Sequence, residues 1–150
     1  MDRKIVLVLA AFAVSLASMA GMASGADDLI KARQTLMKSN GPGLKAVYQM
    51  LKGDTPFDSG VAEKAMQKLA NDAGVLPTLF KPGSDVGSNA LPLIWTEFDQ
   101  FEALYAKLGT DAQAAANAAA AKNIEGLRSA FADIDKDCGA CHGKYRRLRQ

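Results

Sequence analysis

The residues with the most chemistry in this 150-residue chain stand together, as Asp137-Cys138-Gly139-Ala140-Cys141-His142-Gly143. Cys138 and Cys141 are the only cysteines, and His142 is the only histidine. Two thiols three positions apart, followed at once by an imidazole, make the Cys-x-x-Cys-His pattern of c-type haem attachment. Each thiol can add to one vinyl group of the porphyrin to give a thioether, and the imidazole then reaches the iron as an axial ligand. A helix suits this, because residues three and four apart share a face. Other uses of the same residues fit less well. A redox dithiol has no need of the histidine and prefers a strand-to-helix setting. A structural zinc site wants four ligands, and two cysteines with one histidine fall short. Packing cysteines belong among apolar neighbours, whereas these have polar flanks.

A long helix must carry the motif. Ile124, Leu127, Phe131, Ile134, Cys138, Cys141, Tyr145 and Leu148 alternate steps of three and four, so the cysteines share a stripe with core residues. That places the porphyrin against a bundle interior, where its apolar faces replace core side chains. Asn123 is positioned to cap this helix. Before it, Ile94, Phe98, Phe101, Tyr105, Leu108 and Ala112 make an aromatic stripe, with Trp95 beside it. Core packing is the first expectation for those aromatics. The alanine run from Ala112 to Ala121 favours helix but offers little to bury, which suits close backbone approach.

Two further helices precede these. From about Asp27 to Lys52 the stripe is Ile30, Arg33, Met37, Asn40, Leu44, Val47 and Leu51. Gly41-Pro42-Gly43 predicts a bend there, or two short helices on a common axis. A helix capped by Asp58 or Ser59 follows, with Val61, Ala65, Leu69, Asp72 or Ala73, and Leu76 as its inner stripe. From about Pro77 to Pro92 the chain is rich in Gly, Pro, Ser and Asp. It reads as a long crossover connection whose flanking helices need not be neighbours. No stretch alternates with period two. The fold class is therefore all-α, an antiparallel four-helix bundle with one covalently attached haem c.

The N-terminus carries the marks of a secretory leader. Asp2-Arg3-Lys4 is charged, Ile5 to Val14 is an unbroken apolar run, and small residues lead to Ala26. The run is short for a membrane span. Residues 1–26 read as a cleaved signal peptide and 27–150 as the bundle domain, exported to the bacterial periplasm without a membrane anchor once cut. Export agrees with covalent haem attachment, which belongs outside the cytoplasm. The formal net charge is +2, of which the leader supplies part, and such balance argues against nucleic acid as a partner. The basic end Lys144-Tyr145-Arg146-Arg147-Leu148-Arg149 reads first as complement to a helix dipole and second as a docking patch.

With the motif on the last of four helices, the chain resembles the class II c-type cytochromes, cytochrome c′ and its low-spin c-556 relatives. Arg33 to Lys38, Lys52-Gly53, Pro92 to Trp95 and Leu127 to Arg146 carry the likeness further. The resemblance implies one haem c with its iron, and a homodimer through the first two helices. It implies that Arg33 and Gln34 lie near the haem edge, and that Arg146, one turn after His142, stands on the proximal side. An arginine on an apolar stripe fits that role, since a guanidinium can pair with a haem propionate. The alternatives are that Arg33 snorkels out at the stripe's edge and that Arg146 simply completes a basic helix end.

Met37 falls where the family places the residue facing the distal side of the haem. His142/Met37 ligation would make a low-spin electron carrier that meets redox partner proteins by transient docking. Were Met37 only to pack over the haem, the protein would be a high-spin cytochrome c′ that binds nitric oxide or carbon monoxide. The stretch Leu36 to Gly41 is closer to the low-spin branch. An enzyme is not expected, because no histidine or cysteine remains for acid–base or nucleophilic work.

Overall fold

The computed structural model describes the backbone of residues 3–147 and the side chains of residues 25–147. Helix α1 (Arg3–Lys52) leads into α2 (Ser59–Val75), which runs on through a 3₁₀ turn, Leu76–Leu79. A single helical turn, α3 (Leu93–Thr96), precedes α4 (Phe98–Ala120), and α5 (Ile124–Tyr145) ends the helical part. The all-α bundle is as expected. Among the described residues the only β pairing is one isolated bridge, Ala90 to Arg146. Among the residues whose side chains are described, no helical stretch is long and apolar enough to cross a membrane. The leader over residues 1–26 falls, apart from Gly25 and Ala26, on side chains outside the described set.

Helix ends form where side chains and backbone geometry supply the missing partners. Asp58 caps α2 by accepting from the Val61 amide at 2.9 Å. Asn123 caps α5 by accepting from the Gly126 amide at 3.0 Å. At the end of α1, Gly53 adopts φ +81°, and the amides of Gly53 and Asp54 return to the carbonyls of Met50 and Gln49. This is the Schellman arrangement, and glycine meets its left-handed position without a Cβ clash. The same closure ends α4, but there the left-handed residue is Lys122, at φ 56°.

Adjacent helices run antiparallel: Gly43 meets Ala65 and Asn40 meets Asp72 across α1 and α2, while Gln100 meets Lys144 and Lys107 meets Asp137 across α4 and α5. One core cluster centres on Val47, Met66, Leu127 and Ile134 with the alanines of α4. Ala112, Ala115, Ala116 and Ala119 of the alanine run are buried in this cluster. A second cluster, around Phe101, fills the other end of the bundle.

Three expectations need correction. Of the two alternatives at Gly41-Pro42-Gly43, two short helices are set aside, because α1 runs through as one helix. Pro42 and Lys38 are both exposed, so the carbonyl left without its amide donor can turn to water. Glycine at 43 answers to packing, since a Cβ there would lie 3.0 Å from that of Ala65. The inner stripe of α2 is also displaced by one residue in its first two turns. Ala62 and Met66 are fully buried, whereas Val61 is exposed and Ala65 half-buried. The small residues lie at the tight α1–α2 contact, so size complementarity outweighs the greater hydrophobicity of Val61. Finally, the long connection joins helices that pack on each other, α2 and α4. Its length is used to fold back over the end of the bundle.

Candidate functional site

At the end of the bundle where α1 faces the C-terminal turns of α5, the two helices leave a cleft of about 530 Å³. Arg33, Gln34, Met37, His142, Cys141 and Arg146 all line it. Cys138 does not. It sits one turn earlier, half-buried, against the first core cluster, while Cys141 packs against the second. The two thiols therefore straddle the junction of the clusters on one face of α5. They are unpaired with each other.

The walls are apolar. Phe80, Ile94, Phe101 and Tyr105 face the cleft. Phe101 anchors them, meeting Phe80 edge-on at 4.7 Å, Tyr105 at 5.1 Å and Tyr145 at 5.2 Å between ring centroids. Such tilted aromatic contacts hold a wall rigid. The aromatic stripe thus serves as core and as cleft wall together. One rim is Ser88, Asn89 and Ala90 of the connection, which from Asn89 to Leu91 pairs with the chain at the end of α5. The amide of Leu91 donates to the Tyr145 carbonyl at 2.9 Å, and that of Arg147 to the Asn89 carbonyl at 2.8 Å.

Arg33 holds the connection in place. Its Nη1 donates to Ser84 Oγ at 2.9 Å and to the Leu79 carbonyl at 3.4 Å, and its Nη2 donates to the Ser84 carbonyl. The guanidinium also stacks over Phe80, 4.5 Å from the ring centroid. The side chain does not snorkel, being only 5 % exposed. Burial draws its pKa below the usual value, offset in part by Tyr105 and Asp85, and among the described residues no carboxylate lies within ion-pair distance of it. Gln34 and Lys38, on the outer side of α1, reach the cleft from exposed positions.

Met37 is 37 % exposed at the cleft, in contrast to Met66, which is fully buried in the core. Arg146 and Arg147 differ from the expected helix-dipole complement. The helix ends at Tyr145, and Arg146 is extended at φ −118°, ψ 134°. Only His142 and Lys144 remain as basic residues of the last turn.

The electrostatics separate the competing chemistries of the motif. Burial pushes the Cys141 thiol up to about 11, with Cys138 adding to it. Burial also raises Cys138, reinforced by Asp135 and Asp137. A dithiol redox site needs a thiolate at neutral pH, and this pair is held in the opposite state. His142 is lowered, by burial first and by Arg146 second, which keeps the imidazole in the neutral form that binds metals. Apolar walls, two neutral thiols on one helical face and a neutral imidazole opening on the same cleft suit a covalently held iron porphyrin. Among the described residues no cluster of three His, Cys, Asp or Glu side chains forms any other metal site.

Sequence reasoning missed Phe80, Ser84 and the Ser88–Ala90 rim. Phe80 was the available signal, a lone aromatic in an otherwise polar connection.

Comparison with known proteins agrees with this geometry. The family model described as Cytochrome C′ matches residues 28–146. A cytochrome c-556 of Agrobacterium fabrum is 38 % identical over 117 residues, covering 78 % of this chain and 80 % of that one. A cytochrome c′ of Rhodopseudomonas palustris is 34 % identical over 128 residues, covering 84 % and 86 %. Among solved structures, ferric cytochrome c prime from Alcaligenes xylosoxidans superposes with a TM-score of 0.77 at 26 % identity, covering 83 % of this chain and 97 % of that one. The chain belongs to the cytochrome c′ family of class II c-type cytochromes, electron-carrying haem proteins with an iron-bearing covalent haem c, and Cys138 and Cys141 supply the two thiols that attach the porphyrin.

Proposed function

We propose that this protein is an exported, low-spin electron carrier in which His142 and Met37 are the two axial ligands of the haem iron. The observation that carries the reading is the position of Met37. Its side chain lines the same cleft as His142 and lies outside the core clusters, where Met66 does the packing. A soft thioether opposite an imidazole fills the sixth position, raises the reduction potential and leaves no open site for gas. When bound, the haem supplies the one-electron chemistry. The chain's part is to hold the ligands, exclude water with the Phe80, Phe101 and Tyr105 wall, and keep one edge accessible.

Buried Arg33, with no carboxylate within ion-pair distance among the described residues, lines the cleft as the counter-charge for a propionate. Gln34 offers an amide at the same edge. Burial first and the charge of Arg146, four residues beyond His142, second keep the imidazole neutral. Lys38 and Arg146 at the rim, with Arg147 beside them, make a basic surface for transient docking of redox partners. On α1 and α2, Tyr48 and Val61 are exposed at 52 % and 44 %, which fits a homodimer face on these helices. Residues 1–26 act as the leader for the periplasm.

A second reading has its own support. One related solved structure is a nitric oxide complex of a cytochrome c prime variant from Alcaligenes xylosoxidans, at 26 % identity. In that reading Met37 shields a five-coordinate iron. Adding carbon monoxide to the reduced holoprotein decides between them. An unchanged absorption spectrum supports the carrier, and rapid conversion to a carbon monoxide adduct supports the gas binder.

A further inference from the structure

Among the described residues a single buried side-chain polar atom has no hydrogen-bond partner, Oδ2 of Asp137. Asp137 lies on the inner face of α5, beside Cys138 and one turn before Cys141, and is 6 % exposed. Its Oδ1 accepts from Lys107 Nζ at 2.8 Å, and the same ammonium lies 2.6 Å from Asp111 Oδ2. One cation thus faces two carboxylates, and one of these is out of water. A buried anionic oxygen without a donor carries the full cost of its desolvation.

Protonation of Asp137 removes that cost. An Oδ2–H can donate to the Asp111 carboxylate, leaving one ammonium against one carboxylate. The surroundings favour this division. Burial is the main influence raising Asp137, whereas the hydrogen bond from Lys107 is the main influence lowering Asp111. The groups facing the pair are Lys107 on α4, Lys136 on α5, whose ammonium is held by Asp133 at 2.8 Å, and the sulfur of Cys138. Among the described residues no ion pair reaches Asp137 from α1 or α2.

We propose that Asp137 and Asp111, bridged by Lys107, hold one proton between them and bind it more tightly in the reduced protein than in the oxidised one. The inference rests on the electron-transfer reading above but not on the identity of the sixth ligand. Reduction takes one electron from a donor protein and turns ferric iron ferrous. A haem attached through Cys138, the adjacent residue, and Cys141, one turn beyond, would bring the added negative charge near Asp137. Unlike charges attract strongly in the low-dielectric interior, so the Asp137 carboxylate then takes one proton from solvent past the less buried Asp111. Oxidation returns both. Coupling of this kind is reciprocal, and pH must therefore move the reduction potential.

The test is the reduction potential of the holoprotein from acid to neutral pH, for the native chain, Asp137→Asn and Asp111→Asn. The native potential falls as pH rises through the titration of the pair, and Asp137→Asn removes that fall. In reduced-minus-oxidised infrared spectra a protonated-carboxyl band appears for the native protein and is absent from Asp137→Asn. A pH dependence that survives Asp137→Asn unchanged, or the absence of the carboxyl band, overturns the proposal. Should Asp137→Asn fail to fold, Asp111→Asn decides: loss of the acceptor moves the step to lower pH, and an unmoved step contradicts the pair. The absorption spectrum of each sample reports axial ligation separately, so failure of the carrier reading and failure of the proton pair are told apart.

Discussion

The guanidinium of Arg33 on α1 donates to both the hydroxyl and the carbonyl of Ser84, more than fifty residues further on, and so fixes the connection that walls the haem cleft. Removing it leaves buried acceptors unpaired and takes away the stacking partner of Phe80. Arg33→Ala is expected to lower stability by about 2–4 kcal/mol, read from denaturant midpoints. Arg33→Lys recovers only part of this, because an ammonium cannot reproduce the planar fork.

Gly41 and Gly43 make opposite predictions two residues apart. Nothing lies within 4 Å of a Cβ built at Gly41, whereas one at Gly43 meets Ala65 at 3.0 Å. Gly41→Ala should stabilise by about 0.5–1 kcal/mol through helix propensity. Gly43→Leu should destabilise by about 1–3 kcal/mol through overpacking, and Ala65→Gly added to it should restore part of the loss. Thermal unfolding of the set checks both signs.

Lys122 occupies a left-handed position that glycine fills at the end of α1. Lys122→Gly is therefore expected to stabilise the turn between α4 and α5 by about 1 kcal/mol. A loss of stability would show that the lysine side chain contributes more than its backbone costs.

Glu97 gives the pH dependence. The hydrogen bond from Lys144 is the main influence holding its carboxyl below the usual value, and Tyr145 adds a second hydrogen bond at 3.2 Å. A depressed carboxyl contributes stability above its unfolded pKa and loses it as pH falls through the folded one. Acid unfolding of Glu97→Gln should accordingly show a shallower fall in stability below the ordinary carboxylate range than the native protein. An identical acid profile would remove Glu97 from the account.

Much of this was legible because periodicity and local chemistry carry it. The stripe through Leu127, Ile134, Cys138, Cys141 and Tyr145 places the haem motif on an inner helical face without reference to any other helix. Asp58 and Asn123 announce helix starts by side-chain chemistry alone. What could not be read depends on pairs of elements. The Gly43–Ala65 contact, which displaces the buried face of α2 onto Ala62 and Met66, is invisible to a hydrophobicity pattern. A polar connection has no period, so nothing in it revealed that Ser84 would receive Arg33 or that Asn89 would pair with Arg147. Asp137 looked like a polar flank of the motif, and its contacts with Lys107 and Asp111 depend on the facing helix.

The central claim concerns Met37, and the ferric holoprotein tests it in the near infrared. A methionine-to-iron charge-transfer band with low-spin signals is expected, both lost in Met37→Ala, which becomes high-spin and binds carbon monoxide when reduced. A native spectrum that is already high-spin, or one that Met37→Ala leaves unchanged, would contradict it.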